Sequence, residues 1–296
     1  MAAGADRGAE ATLLFGVGAA RSGTSWLYRY LAAHPECHLR AVKEPHFFDS
    51  LETGRIEAPV AAMEAELAAL DTGASPTRAA APDASAQRAD LAEYLAMIRA
   101  GDVHRYLHYL SGQRGNARLV GDMTPAYSLL PVDRLRQMAG LMTDVRFIYL
   151  MRDPVARLWS HVRMIARRRQ RAGQSLGVQA GTILEATLDG SERHILSRGD
   201  YTGAIERLSR AVPAERLFLG FFEELFTDDG LARLASFLGI APRPAPVEVA
   251  AHSGPPAPMT EAQASRAAHA LRPQYEYVAR RTGRVPDAWH AVMEWV

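Results

Sequence analysis

Residues 13–48 read LLFGVGAARSGTSWLYRYLAAHPECHLRAVKEPHFF, and the first half of this stretch indicates the fold class. The apolar run Leu13–Val17 predicts a buried strand, followed by a loop of small residues and a helix beginning near Thr24. The first backbone N–H groups of a helix have no partner within it, and the helix dipole adds positive potential there. This succession of strand, glycine-rich loop and helix therefore predicts a site for a phosphate or a similar anion.

The loop differs from the loop of nucleotide triphosphatases at one position. Gly18 and Gly23 have the Walker A spacing, but Thr24 stands where that motif has its lysine. The cation lies inside the loop instead, at Arg21. The sequence therefore predicts an anion site that lacks the usual arrangement for magnesium and a γ-phosphate.

Four motifs follow one another along the chain: ARSGTSW at residues 20–26, KEPHFFD at 43–49, GDMTPAY at 121–127 and RDPVARLWS at 152–160. In order and spacing they resemble the motifs of sulfotransferases that use 3′-phosphoadenosine 5′-phosphosulfate (PAPS), in particular bacterial and heparan-type members. The resemblance implies, in the same order, a 5′-phosphosulfate loop, a segment with the catalytic carboxylate, a substrate-side motif and a 3′-phosphate motif. It extends from about residue 13 to 225.

Strands and helices alternate along the chain, which predicts an α/β fold. Short apolar runs indicate further strands at residues 37–39, 119–122, 146–151 and 217–222. We expect a three-layer structure, a mostly parallel sheet with helices on both faces, and the resemblance implies a relation to P-loop nucleotide kinases. Because ligands bind at the carboxyl ends of such strands, Arg21, Asp122 and Arg152 are expected to share one site.

The length of 296 residues suits a single sulfotransferase domain, 1–296, with one insertion. An alanine-rich region at about 54–116 predicts a helical insertion over the active site, with a mobile loop at 75–90 between its helices. A proline-rich loop follows at 242–258, and a C-terminal helical segment begins near Thr260. Residues His252, Ser253 and Gly254 stand where members of the family have a loop that covers the cofactor.

The composition limits the classes of protein to which this chain can belong. A net charge of +1 argues against binding nucleic acid by bulk electrostatics, so any attraction for anions must be local. The single cysteine, Cys37, excludes an internal disulfide and suits a reducing compartment. The sequence has no secretory signal and no apolar run of ~20 residues, so we expect a cytoplasmic protein without a membrane span.

The resemblance implies contacts to both ends of PAPS. The family usually has lysine at the position of Arg21, and arginine keeps the charge but cannot act as a proton donor. From the residues alone, Asp153 and Pro154 also predict an ordinary helix start, an N-cap followed by proline. The predicted cofactor-binding residues are Arg21, Ser22, Gly23, Thr24, Ser25 and Trp26 at the 5′ end, Arg152 and Ser160 at the 3′-phosphate, and Tyr201 near the adenine.

The acceptor side centres on Glu44, which matches the general base of the family. A carboxylate within reach of an attacking hydroxyl or amine can accept its proton, and Lys43 is expected beside the phosphosulfate. His46 is an alternative base or a structural histidine, while Phe47 and Phe48 are predicted core anchors. The predicted catalytic residues are Glu44, Lys43, Arg21 and His46, and the predicted substrate-binding residues are His46, Asp49, Asp122, Thr124 and Tyr127.

The predicted reaction is in-line transfer of the sulfuryl group from PAPS to an acceptor hydroxyl or amine, without a metal. The acceptor is a small molecule or a carbohydrate, and neither its identity nor the oligomeric state follows from the sequence. The arginine run at 163–171 is either a solvated helix face or a contact for an anion. Two other functions stay open, a kinase-like phosphotransferase and a non-catalytic binder of 3′-phosphorylated adenine nucleotides.

Overall fold

The computed structural model describes residues 11–71, 84–170, 173–245 and 257–294, and a five-stranded parallel sheet lies at its centre. The strands have the order β2-β3-β1-β4-β5, and every neighbouring pair is parallel. The prediction of a parallel sheet is confirmed, with each predicted strand found within one or two residues of its place. The strands are β1 (Thr12–Gly18), β2 (Cys37–Leu39), β3 (Leu119–Asp122), β4 (Val145–Met151) and β5 (Leu217–Phe221).

Helices cover both faces of this sheet. In the described ranges they are α1 (Thr24–Ala32), α2 (Phe47–Thr53), α3 (Glu57–Asp71), α4 (Ala84–Ala100), α5 (Val103–Ser111), α6 (Val132–Ala139), α7 (Pro154–Arg169), α8 (Leu176–Leu188), α9 (Arg193–Ser197), α10 (Tyr201–Ala211), α11 (Asp228–Leu238), α12 (Glu261–Thr282) and α13 (Asp287–Met293). No helix in these ranges is both long and apolar enough to cross a membrane.

Alternate side chains of β1 point into two separate apolar cores, which gives the predicted three layers. Phe15 packs in the larger core, where its ring centroid lies 5.2 Å from that of Phe147. Leu14 points to the opposite face and packs with α1 and α11. Because successive side chains of a strand point to opposite faces, a strand buried on both sides is apolar throughout, as β1 is.

The structure corrects the loop predicted at residues 75–90. Helix α4 begins at Ala84, so the last residues of that segment are helical, and residues 72–83 lie outside the described ranges. Asp90, in the second turn of α4, accepts hydrogen bonds from Arg40 Nε at 2.5 Å and from the Val42 N–H at 3.1 Å. This buried ion pair attaches α4 to the chain just before Lys43, a long-range contact with no local signal in the sequence.

Candidate active site

The loop between β1 and α1 ends at Gly23, the N-cap of the helix, with φ of +89°. A Cβ atom there would lie 2.6 Å from Phe222 Cδ2, so the position requires glycine on both conformational and steric grounds. Among the described residues, the backbone N–H groups of Thr24 and Ser25 have no acceptor. The start of α1 therefore offers two oriented donors to an anion.

Arg21 lies across α7 and joins two of the motifs. Its Nε donates a hydrogen bond of 3.1 Å to Ser160 Oγ, and its guanidinium lies 3.7 Å from Met164 Sδ. Arg21 belongs to the predicted 5′ loop and Ser160 to the predicted 3′-phosphate motif, 139 positions later in the chain. The structure thus brings these two predicted residues into direct contact.

Arg152 follows the last residue of β4, as predicted. Its guanidinium carbon lies 4.7 Å from the ring centroid of Phe222. The next residue, Asp153, accepts a hydrogen bond of 2.7 Å from the Ala156 N–H, so the predicted N-cap of α7 is confirmed. Burial raises the pKa of Asp153, although hydrogen bonds from Tyr275 and the Ala156 N–H oppose this effect.

Tyr201 has a different place from the predicted contact with the adenine. Its side chain is fully buried, and its hydroxyl donates to the Arg152 carbonyl at 2.6 Å and accepts from the Arg152 N–H at 3.1 Å. Both polar groups of the Arg152 backbone are therefore satisfied by one side chain. This geometry corrects the expectation, because a buried phenol with both hydrogen-bonding functions in use positions Arg152 and does not face a ligand.

Trp26 also departs from its predicted role. Its indole is buried in the core beneath α1, stacked on Tyr30 at 5.2 Å between ring centroids, with the edge of Phe226 at 5.1 Å. Its backbone N–H donates to the Gly23 carbonyl at 2.9 Å and is not free for an anion. The side chain of Ser22 is fully buried as well, so the predicted 5′ contact rests on Arg21, Gly23, Thr24 and Ser25.

The KEPHFFD segment gathers its polar side chains into one cluster. Lys43 Nζ forms an ion pair with Glu44 Oε1, and His46 Nε2 lies 3.8 Å from Glu44 Oε2. His46 Nδ1 lies 2.8 Å from Asp49 Oδ2 and must carry a proton there, because a carboxylate only accepts. Burial would lower the pKa of His46, but Asp49, Glu44 and Asp122 outweigh it and raise that pKa overall.

Backbone strain also marks this segment. The described residues other than glycine with positive φ are Arg21, Glu44, His46 and Gln113, with φ of 72°, 59°, 53° and 62°. The first three are predicted catalytic residues. Non-glycine residues in the left-handed region cost free energy and persist where the surrounding structure holds them, which is common at functional sites.

A cavity of about 350 Å³ opens beside Glu44. Helix α3 forms its far wall, and Tyr94 of α4 contributes its ring, since the Tyr94 hydroxyl already donates to the Pro45 carbonyl at 2.9 Å. Sequence reasoning predicted helices here, although it did not single out the residues of α3 that reach the cavity. The lining residues are Val42, Lys43, Glu44, His46, Pro59, Ala62, Met63 and Tyr94.

Asp122, Thr124 and Tyr127, predicted to bind substrate, are buried beneath the site instead of lining the cavity. Thr124 Oγ1 donates to Asp122 Oδ1 at 2.6 Å, and the Tyr127 hydroxyl donates to Asp122 Oδ2 at 2.8 Å. Tyr106, which the sequence did not single out, donates to the same oxygen at 2.6 Å. The Tyr127 hydroxyl also accepts from the Phe47 N–H at 3.0 Å, so the network supports the start of α2.

The core anchors predicted beside His46 are confirmed. Phe47 and Phe48 are buried, and the ring of Phe47 stacks on Tyr106 with 4.4 Å between centroids. These rings fix the backbone on the carboxyl side of His46. The cofactor-covering residues expected at 252–254, and Arg171 at the end of the arginine run, lie outside the described residues.

The fold is shared with a sulfotransferase of known structure. The crystal structure of a sulfotransferase from Alicyclobacillus acidocaldarius is 23% identical and covers 95% of this chain and 99% of that chain, with a TM-score of 0.59, which shows a shared fold. A sulfotransferase domain from the curacin biosynthetic pathway is 19% identical and covers 80% of this chain and 76% of that chain, with a TM-score of 0.48. A search of curated proteins found no match.

A family model described as "Sulfotransferase family" matches residues 14–241. The match includes all four motifs, strands β2 to β5, β1 from residue 14 onward, and the residues of the cavity. Since it spans well over half of the sequence, the chain belongs to the sulfotransferase family.

Proposed function

We propose that this sulfotransferase moves the sulfuryl group of PAPS to a hydroxyl or amine by in-line transfer, with Glu44 as general base. The observation that carries this proposal is the contact of 3.1 Å between Arg21 and Ser160. It supports two adjacent anion sites, one at the loop before α1 and one at α7, joined by this contact. A nucleotide with phosphate groups at both its 5′ and 3′ positions matches two adjacent anion sites of this kind.

The residues present fit such a nucleotide. The free N–H groups of Thr24 and Ser25 suit the 5′-phosphosulfate, and glycine at position 23 lets the loop pack against Phe222 where the helix begins. Arg152 and Ser160 suit the 3′-phosphate through a guanidinium fork and a hydroxyl. PAPS supplies an activated sulfuryl group, and Arg21 is placed to stabilise negative charge on the departing phosphate oxygen.

The acceptor is proposed to bind in the cavity beside Glu44. Glu44 takes the proton of the attacking group, and Lys43, which is paired with it and also lines the cavity, contacts the transferred group. His46 is held by Asp49 and orients the second carboxylate oxygen of Glu44. These groups line the cavity together with side chains of α3, which contribute to its apolar part.

The rest of the cavity indicates the class of acceptor. Beyond Lys43, Glu44 and His46 its lining is apolar, and the one hydroxyl, that of Tyr94, already donates to a carbonyl. Such a surface offers no partner for the many hydroxyls of a sugar or for an anionic group. We therefore favour a hydroxyl carried on a compact apolar body, such as a phenol or an alcohol, over a polysaccharide.

A turnover assay tests this function. The protein is incubated with PAPS and, in turn, a phenol, a medium-chain alcohol, an amine and an uncharged oligosaccharide, and formation of 3′-phosphoadenosine 5′-phosphate is followed by chromatography. We expect turnover with the apolar hydroxyl acceptors, and no loss of activity in excess EDTA. Turnover only with ATP and magnesium would indicate a phosphotransferase, and tight nucleotide binding without turnover on any acceptor would indicate a non-catalytic binder.

A further inference from the structure

We propose that Arg163 and Arg167 of α7 bind the 3′-phosphate of the nucleotide together with Arg152 and Ser160. This inference rests on the proposed function, and it concerns residues for which the sequence left two interpretations open. It assigns a ligand-binding role to the face of α7 that continues from Ser160.

Helical spacing places these residues on one face. Ser160, Arg163, Met164 and Arg167 stand at i, i+3, i+4 and i+7, which brings their side chains into one row. Arg21 lies on this row, because its guanidinium contacts both Ser160 and Met164. Arg163 and Arg167 therefore continue the surface on which Arg21 and Ser160 already meet.

The cluster is positive and has no compensating carboxylate. Among the described residues, no acidic group lies within 4.0 Å of the guanidinium groups of Arg21, Arg152, Arg163 or Arg167. The Nε atom of Arg163 is buried and has no hydrogen-bond partner there. By contrast Arg169, on the same helix, forms an ion pair with Glu192.

The positive charges of this cluster act on one another. Burial lowers the pKa of Arg21, and the charges of Arg152, Arg163, Arg167 and Arg168 lower it further. Burial likewise lowers the pKa of Arg163, with Arg167 and Arg152 acting in the same direction. The charge of Arg163 therefore interacts both with Arg152, which follows β4, and with Arg167, one turn further along α7. An anion bound at this point would relieve the repulsion.

A phosphate monoester has the charge and the acceptor oxygens to relieve the repulsion among these arginines. It carries a charge of about −1.5 to −2 at neutral pH and three strong acceptor oxygens, which guanidinium groups bind through paired hydrogen bonds. The adenosine 3′-phosphate is the phosphate assigned to Arg152 and Ser160, and Arg163 is the next cation along the same face. The 5′ end is assigned to the loop before α1 and the start of that helix, and Arg163 and Arg167 lie further along α7, beyond the contact between Arg21 and Ser160.

Calorimetry with 3′-phosphoadenosine 5′-phosphate and with AMP tests the assignment, because the two nucleotides differ only in the 3′-phosphate. Arg163→Ala and Arg167→Ala are compared with the control Arg169→Ala, which removes the same charge from the same helix. We expect each test variant to weaken the 3′-phosphorylated nucleotide by about tenfold or more, with little change for AMP. The control should leave both affinities unchanged.

The outcomes separate this inference from the proposed function. If the wild type fails to prefer the 3′-phosphorylated nucleotide over AMP, the proposed function itself is wrong. If the wild type shows that preference and Arg152→Ala abolishes it, but the two test variants retain it, only the assignment of Arg163 and Arg167 is overturned. Arg167 is exposed, so its variant reports on binding even if loss of the half-buried Arg163 disturbs the helix.

Discussion

Asp122 shows at the residue scale how burial sets the charge state beneath the site. Its carboxylate is fully buried, and burial raises its pKa to about 6, although the hydroxyls of Thr124, Tyr106 and Tyr127 oppose this shift. The folded protein therefore holds this proton more tightly than the unfolded chain does. The contribution of Asp122 to stability is fully present below its unfolded pKa and is lost as the pH rises through about 6.

Replacing Asp122 by Asn should remove this pH dependence. We expect the stability of the wild type, measured relative to Asp122→Asn, to fall by up to ~3 kcal/mol between pH 4 and pH 7, because ionisation is confined to the wild type. Urea unfolding at several pH values measures the difference. A difference that is constant over this range, or that grows with pH, would show that the buried carboxylate titrates differently.

The sequence predicted the place of a residue correctly where local strand and helix signals determine that place. Gly23, Arg152 and the N-cap Asp153 lie where the strand and helix signals placed them. Trp26 and Tyr201 were predicted to meet the nucleotide, yet both lie in the core. A motif shows that a residue belongs to a site, but only packing decides whether its side chain faces the ligand or supports the residue that does.

At the scale of elements, α10 holds the end of β4 through one hydroxyl. Tyr201 is the first residue of α10, and its ring packs against Tyr149 of β4 and stacks on Trp289. Because its hydroxyl satisfies both the N–H and the carbonyl of Arg152, a side chain from one element fixes the backbone of another. The orientation of Arg152 thus depends on a contact from outside the RDPVARLWS motif, in a role that the resemblance did not assign to Tyr201.

Tyr201→Phe tests this connection between α10 and β4. The ring should remain packed, but the Arg152 N–H and carbonyl lose their partner, which should lower the free energy of unfolding by about 1–3 kcal/mol. Affinity for 3′-phosphoadenosine 5′-phosphate should fall with it, because Arg152 is less well held. Urea denaturation and calorimetry measure the two effects. Unchanged stability and affinity would show that the hydrogen bonds to Tyr201 are dispensable.

Periodicity in the sequence predicted the positions of strands and helices more readily than the contacts between them. The apolar runs predicted all five strands, and the start of α1 was predicted correctly at Thr24. The start of α4 at Ala84 was missed, because the segment is rich in small residues and its fixing contact, Arg40 with Asp90, spans 50 positions. The same long-range packing produces the cavity between α3 and Glu44, so its lining could not be predicted from local patterns.

At the scale of the whole molecule, the candidate site is assembled from segments that lie far apart in the chain. The carboxyl ends of β1 and β4 bring Arg21 and Arg152 to one edge of the sheet, where parallel α/β folds bind their ligands. Glu44 follows β2, whose carboxyl end lies at the same edge because β2, β3 and β1 are parallel. In the proposed mechanism, nucleotide binding and proton transfer rest on different residues. A single substitution can therefore remove one function and leave the other.

Glu44→Gln is that substitution, since it keeps the size and most hydrogen-bonding capacity of the side chain but removes the proton acceptor. Steady-state turnover of PAPS with the best acceptor is measured beside calorimetry with 3′-phosphoadenosine 5′-phosphate and a thermal melt. The control is Glu52→Gln, a glutamate of α2 that pairs with Arg134 and does not line the cavity. It should leave all three measurements unchanged.

We expect Glu44→Gln to lower kcat by about 100-fold or more while nucleotide affinity stays close to that of the wild type. His46→Ala should have a smaller effect on kcat, because His46 orients Glu44 and does not itself accept the proton. If Glu44→Gln remains folded and retains near-full turnover while His46→Ala abolishes it, the base is His46, and the central claim about Glu44 is contradicted.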